Sequence, residues 1–219
     1  MSVIPPSAAS LRVAVLFVAT TLLSGCASLL GTQPTEPASE AQLTAWESHS
    51  KELESMTDWA FGGRAAVRSG VTGGSVQLEW TQVGAVTSLE LSGPFDTGHL
   101  AMTGTPSHML LTDGNGNRRV TDDPEALLEE QTGWRIPLAT LPRWLRGLPS
   151  DSLAALSTGD YRLDDQGRLV TFIDEGWEVE YARYQDVGRL TLPHFVELTN
   201  EGMRIRIVVD SWDTGQSRR

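Results

Sequence analysis

The stretch "FVELTNEGMRIRIVVDSW" (Phe195–Trp212) decides the fold. Beyond Gly202, Met203, Ile205, Ile207 and Val209 alternate with Arg204, Arg206, Val208 and Asp210. A period of two gives a strand one apolar and one polar face. The chain reverses between Asn200 and Gly202, so the stretch reads as a β-hairpin. Carried to its end, the alternation puts Trp212 on the arginine side.

The same grammar runs back through the chain. "RLVTFIDEGWEVEYARY" (Arg168–Tyr184) is a second hairpin, turning near Glu175-Gly176 and carrying Trp177 and Val179 on its apolar face. "SVQLEWTQV" (Ser75–Val83) sets Val76, Leu78 and Trp80 against Gln77, Glu79 and Thr81. "SLELSG" follows with Leu89 and Leu91, and "HLAMTG" with Leu100 and Met102. "HMLLTDGNGN" runs into an Asn/Gly turn at residues 113–117, and "VTGGSV" (Val71–Val76) reads as the turn before a strand. Short alternating strands at regular spacing predict an antiparallel sheet curled into a barrel or sandwich.

The middle of the chain breaks the pattern. In "TDDPEALLEEQTGW" (Thr121–Trp134), Asp122 or Asp123 caps a helix that starts at Pro124, carries Leu128 and stops at Gly133. "IPLATLPRWLRGLP" (Ile136–Pro149) adds a short helix with Leu141, Trp144, Leu145 and Leu148. Both have apolar faces that must lie against the sheet, across one mouth of the barrel. Seven tryptophans in 219 residues is a high count. Each either fills a core or lines a cavity, and Trp80 and Trp177 sit where both roles are open. A one-sheet barrel of this length encloses more volume than a few helices fill, so a lipocalin-like cavity is expected.

Residues 1–25 stand apart. Arg12 is their only charge, and "VAVLFVATTLL" is too short to span a bilayer but suits the apolar core of a signal peptide. It ends in "LSGC", with Cys26 the single cysteine of the chain. The ending resembles the lipobox of bacterial lipoproteins, in which the thiol takes a diacylglycerol, the new N-terminus takes a further acyl chain, and the two anchor the protein. A buried cysteine beside an ordinary cleavage site is the alternative. No aspartate follows Cys26, which in lipoprotein sorting points to the outer membrane. With one cysteine there is no intramolecular disulfide. Residues 26–41 then form a lipidated N-terminus and a Pro/Ser/Thr/Glu-rich tether, residues 42–213 the folded domain, and residues 214–219 a polar tail. At the start of the domain "QLTAWESHSKELESM" spaces Leu43, Trp46, Ser50, Leu53 and Met56 as one helical face, packed on the sheet or laid on a membrane.

Cleavage after Gly25 removes one arginine and no acid, so a formal charge of −11 becomes −12. Such acidity argues against nucleic acid or anionic lipid headgroups as partners and says nothing against apolar cargo. Chemistry is not signalled either. His49, His99, His108 and His194 fall in no metal-binding spacing, although His99 and His108 lie on neighbouring predicted strands and could approach each other. There is no nucleophile elbow, phosphate loop or dinucleotide fingerprint. No enzyme, metal site or cofactor is expected.

Taken together, the lipobox, "WRIPLATLPRWLRGLP" (Trp134–Pro149), "YRLDDQGRLV" (Tyr161–Val170), the "EYARY" strand and "VELTNEGMRIRIVVDSW" resemble the LolB family, from about Trp46 to Trp212. The resemblance implies a mainly β fold: an unclosed antiparallel barrel of about eleven strands, LolA/LolB-like, with a few helices over the opening. It implies an outer-membrane, periplasm-facing, lipid-anchored monomer of a Gram-negative bacterium. This protein would receive acylated lipoproteins from the periplasmic carrier LolA and insert them into outer-membrane lipid without ATP. In the family a loop between two early strands carries an exposed apolar residue at its tip, commonly leucine. Here that loop is "SGPFDTG", which gives the role to Phe95 beside Pro94; the alternative is a ring folded back as a plug. Candidate acyl-contacting residues are Leu78, Trp80, Leu89, Leu91, Leu100, Met102, Leu128, Trp144, Leu145, Trp177, Val179, Ile205 and Ile207. Exposing one palmitoyl-length chain of ~15 methylenes to water costs ~12 kcal/mol at ~0.8 kcal/mol each, so cargo must pass directly between apolar sites. A structural outer-membrane lipoprotein whose interior is only a core is the competing reading.

Overall fold

The computed structural model describes residues 37–93 and 98–215, so Cys26, Pro94 and Phe95 lie outside the described residues. Helix α1 (Glu40–Glu54) opens on a reciprocal cap. The Gln42 N–H donates to Ser39 Oγ at 3.2 Å, and the Ser39 N–H donates to Gln42 Oε1 at 2.9 Å. The folded domain therefore takes in Glu40 and Ala41, ahead of residue 42. Trp46 and Leu53 are buried, so the apolar face of α1 packs on the domain.

Six strands follow: β1 (Asp58–Ser69), β2 (Thr72–Val83), β3 (Val86–Ser92), β4 (His99–Thr105), β5 (His108–Asp113) and β6 (Arg118–Thr121). After helices α2 (Pro124–Thr132) and α3 (Leu141–Leu145) and a 3-10 turn at Leu153–Ala155 come β7 (Tyr161–Leu163), β8 (Leu169–Asp174), β9 (Trp177–Val187), β10 (Leu190–Asn200) and β11 (Met203–Asp213). They form one sheet in the order β6-β5-β4-β3-β2-β1-β11-β10-β9-β8-β7. Neighbours along each half are antiparallel, and β1 pairs antiparallel with β11 at the centre. The edges β6 and β7 are not joined, which leaves the barrel open.

That order explains where the helices lie. The chain leaves the sheet at edge β6 and re-enters it at edge β7, so residues 122–160 must cross the open side. Asp123 caps α2 by accepting the Ala126 N–H at 3.0 Å, Pro124 occupies the first turn, and Gly133 ends the helix at φ 76°. A positive φ is costly for any residue with a Cβ, which is why glycine stands there. Leu127, Leu128, Leu141, Trp144 and Leu145 are buried in the same core as the inward faces of the strands.

Three local expectations change. Val209 pairs with Gly63 but Ser211 with Gly62, which leaves Asp210 as an extra residue in β11. This bulge switches the alternation, so Trp212 falls on the apolar face, 5.2 Å from the Phe61 ring and 5.8 Å from Trp59. Gly73 and Gly74 belong to β2, the turn being Gly70-Val71. A side chain at Gly73 would meet the Val67 carbonyl oxygen at 2.7 Å, so glycine serves a close backbone approach rather than a reversal. His99 and His108 stand at opposite ends of their strands, because Leu100 pairs with Asp113 and Thr105 with His108.

Candidate functional site

The inward faces of β1, β2, β3 and β11 enclose an apolar cavity. Leu78, Trp80, Leu89, Leu91, Ile205 and Ile207 line it from the sheet and Leu128 from α2, with no polar lining surface. The wall that sequence reasoning missed comes from β1 and from the connection between α2 and α3. Ala65, Val67, Val76 and Leu198 complete the sheet side, while Trp134, Ile136, Leu138 and Leu141 roof it. The roof is a strap without regular structure from Gly133 to Thr140, carrying apolar residues at every second position (134, 136 and 138). That spacing was the available clue. Trp134 is half-buried, and its ring passes 3.6 Å from where a Cβ of Gly74 would stand.

The volume is much smaller than expected: about 40 Å³. One water needs about 10–15 Å³ of such free space, so the cavity holds a few water-sized groups at most and far less than an acyl chain. Side chains of the strap occupy the room that the barrel's curvature makes. The expectation of a roomy interior fails for this conformation.

Six candidates do not reach the cavity. Leu100 and Met102 lie on β4, beyond its rim, and pack in the core. Trp144, Leu145, Trp177 and Val179 belong to a filled half of the barrel built on β8 and β9. Buried polar bonds lock that half. The Trp144 indole N–H donates to Asp174 Oδ2 at 2.9 Å, and the Ser150 N–H and hydroxyl donate to the same carboxylate at 2.6 and 2.7 Å. The Tyr181 hydroxyl donates to the Trp144 carbonyl at 2.6 Å, and its burial raises its pKa well above the usual value. A satisfied buried network of this kind fixes one packing. The barrel therefore has a half locked by buried polar bonds and a half roofed by apolar side chains of a strap. The polar ties of the strap lie near its ends, where Arg135 pairs with Glu129 at 3.1 Å and the Thr140 hydroxyl donates to Glu175 at 2.7 Å.

Two cations hold the seam between α1 and α3: Arg143 pairs with Glu54 at 3.4 Å, and Arg146 is the more buried of the two. Arg146 donates to the carbonyls of Leu53 and Met56 at 3.1 and 2.8 Å, and its guanidinium lies 5.7 Å from the Trp59 ring centroid. Desolvation by burial, helped by Arg143, lowers its pKa to about 10, so it stays charged at neutral pH. Of the histidines, His108 Nδ1 lies 2.9 Å from Asp122 on the surface, and the His49 Nε2 atom is buried without a hydrogen-bond partner. Among the described residues no three His, Cys, Asp or Glu side chains are grouped to hold a metal. No described helix is long and apolar enough to cross a membrane.

The sequence model of the family described as outer membrane lipoprotein LolB matches residues 57–212, from the turn before β1 almost to the end of β11. This chain belongs to the LolB family. An outer-membrane lipoprotein LolB of Pseudomonas aeruginosa is 34% identical over 199 residues, covering 90% of this chain and 94% of that protein. The LolB of Pseudomonas syringae pv. syringae is 31% identical over 202 residues, covering 92% and 96%. Among solved structures, a LolA superfamily protein of Nitrosomonas europaea aligns with a TM-score of 0.42 at 10% identity, over 80% of this chain and 94% of that one. That likeness is too distant to bear on function. Membership of the LolB family makes this an outer-membrane lipoprotein, and the strap-roofed cavity is where its function has to be sought.

Proposed function

We propose that this LolB-family protein accepts acylated lipoproteins from the periplasmic carrier LolA and passes them into the outer membrane without ATP. The observation that carries the reading is the wholly apolar cavity under a strap that meets it with apolar side chains. To admit a guest, Trp134, Ile136 and Leu138 leave the concave face and the acyl chain replaces them. Exchange of one apolar occupant for another is near balance, whereas release into water would cost ~12 kcal/mol per chain. Transfer needs neither nucleotide nor catalytic residue, and no cofactor enters it.

Membrane attachment belongs to the same reading. Cys26 carries a diacylglycerol and an N-acyl chain, residues 27–39 give reach, and the protein acts as a monomer facing the periplasm. The β3–β4 connection presents Phe95, preceded by Pro94, to the lipid. The Gly93 N–H donates to the Gly98 carbonyl at 2.9 Å, and this closes the base of that connection at one end of the sheet.

Reconstituted transfer tests the proposal. A lipoprotein loaded on the carrier should move to this protein with no nucleotide present. Phe95→Glu should keep that uptake and lose delivery into liposomes, while Cys26→Ala should lose incorporation of labelled palmitate. Delivery by the Phe95→Glu variant at the normal rate removes the loop from the mechanism. The small cavity favours one rival, a structural lipoprotein with a filled core. Absence of any acyl uptake by the intact protein would establish that rival.

A further inference from the structure

Val71 is the most exposed large apolar side chain among the described residues. It sits at the tip of the β1–β2 hairpin, which the Gly70 N–H ties to the neighbouring β10–β11 tip through the Gly202 carbonyl at 3.0 Å. Behind the tip an open groove of about 1070 Å³ runs along the outer face. The small residues Ala66, Gly73 and Ser75 leave it hollow, Arg68, Arg204 and Arg206 border it, and no acid is among the described residues that line it. Arg68 pairs in register with Arg204, so the two arginines leave the outer face from neighbouring positions. Arg204 and Arg206 share one carboxylate, Glu197, at 3.3 and 2.6 Å. The exposed Glu201 of the adjacent tip does not line the groove. In a chain of formal charge −11 this is an island of positive charge capped by a bare apolar residue.

The register fixes where the island points. Ser92, at the base of the 93–98 connection, pairs with Gln77, and β2 continues past that pair to Thr72. At about 3.4 Å per residue, the Val71 tip reaches about 17 Å further than the end of β3, in the same direction. Val83 and Val86 are also exposed, but they lie at the opposite end of the sheet, where the Gly84 N–H is bonded to the Asp58 carboxylate at 3.0 Å.

The geometry points to the β1–β2 tip as a lipid-contacting element: Val71 enters the headgroup layer of a phospholipid bilayer, and Arg68 and Arg204 bind the phosphates. An arginine beside an apolar side chain suits that layer, because the guanidinium reaches phosphate while the valine leaves water. Screening over about 8 Å keeps the acidic remainder of the protein from cancelling the island at short range. The remaining negative charge turns the rest of the domain away from the lipid and so orients the barrel end-on. This inference rests on the reading that the protein delivers cargo at a membrane surface.

The test places a polarity-sensitive fluorophore on Val71→Cys, or on Val83→Cys at the far end, in the full-length lipidated protein. Each is reconstituted into phosphatidylethanolamine/phosphatidylglycerol vesicles that contain a headgroup-level nitroxide lipid. The unsubstituted protein, with Cys26 alone, gives the labelling blank. Quenching at position 71 should exceed that at 83 several-fold, and Arg68→Glu with Arg204→Glu should bring it down to the level at 83. Equal quenching at the two positions overturns the inference, as does quenching at 71 that ignores the charge reversals. If the reversals instead weaken the complex with the carrier and leave quenching unchanged, the island is a protein dock and the inference fails. Handover of cargo is scored separately. Normal handover with a dry Val71 sinks only this inference, whereas a lipid-bound Val71 with no handover sinks the function.

Discussion

Removing the Trp134 ring is the sharpest test of a cavity that must open. Trp134 is half-buried, roofs the cavity beside Ile136 and Leu138, and has no described hydrogen bond from its indole nitrogen. Full burial of a tryptophan is worth about 3–5 kcal/mol on truncation to alanine, so a half-buried ring holds the closed roof by about 1.5–2 kcal/mol. In the open state the ring gives nothing back. Trp134→Ala should therefore shift the closed–open balance by that amount and raise the open fraction about tenfold to thirtyfold. Apparent affinity for an apolar guest scales with the open fraction, so a fluorescent fatty acid titrated into the variant should bind about tenfold or more tightly. Urea unfolding of the same sample should show the matching loss of stability. Val179→Ala is the control: Val179 is fully buried in the locked half, so it should cost about 2 kcal/mol and leave probe affinity unchanged. Unchanged or weaker binding by Trp134→Ala refutes the reasoning. The ring would then be a wall of the site, and the roof would not be what limits entry.

The locked half makes its own prediction. Asp174→Ala strands the Trp144 indole N–H and the Ser150 donors, and should lower stability by about 2–4 kcal/mol in chemical denaturation with fatty-acid affinity preserved. His49 predicts a pH effect. Its burial, with Arg168 next in weight, lowers its pKa below 6.5, so the unfolded chain binds the proton more readily. Stability then falls as pH drops below 6.5, and His49→Phe should lose less melting temperature between pH 7 and pH 5 than the parent. Arg146→Met leaves the carbonyls of Leu53 in α1 and of Met56 just beyond it without that donor, and should speed hydrogen exchange at the C-terminal end of α1.

The strands were legible because one face of each is buried, and burial imposes a period of two on sequence. The helix over 124–132 was legible from its cap and stop residues, Asp123 and Gly133. Where the chain departs from a repeat, the pattern misleads. A single extra residue, Asp210, turns Trp212 inward, and no local composition announces such a bulge. "TGGS" looks like a turn, yet it is a strand whose glycines allow close backbone approach. The cavity lining was half legible. Inward positions on β2, β3 and β11 were identifiable, but Trp177 and Val179 on β9 share that pattern and end up in a filled core. Face is a local property, whereas free volume depends on how distant segments meet. The strap at 134–138 was hidden for the same reason, since its residues carry the apolar signal of a helix approach and no repeat long enough to classify.

The strands at the middle of the sheet are the first and the last to be made. Ser69 pairs with Met203 and Ala60 with Asp213, so the central seam cannot zip until almost the whole polypeptide is available. Each flank is a run of hairpins that can form early from neighbours in sequence, but closing the seam demands the largest loop entropy in the molecule and makes it the natural bottleneck of folding. Until then both β1 and β11 offer bare edges to any passing chain, which is a hazard of aggregation. A truncation that removes β11 would part the sheet into two halves, leave β1 and β10 as bare edges and open the core between them, and it should give insoluble material rather than a weakened barrel.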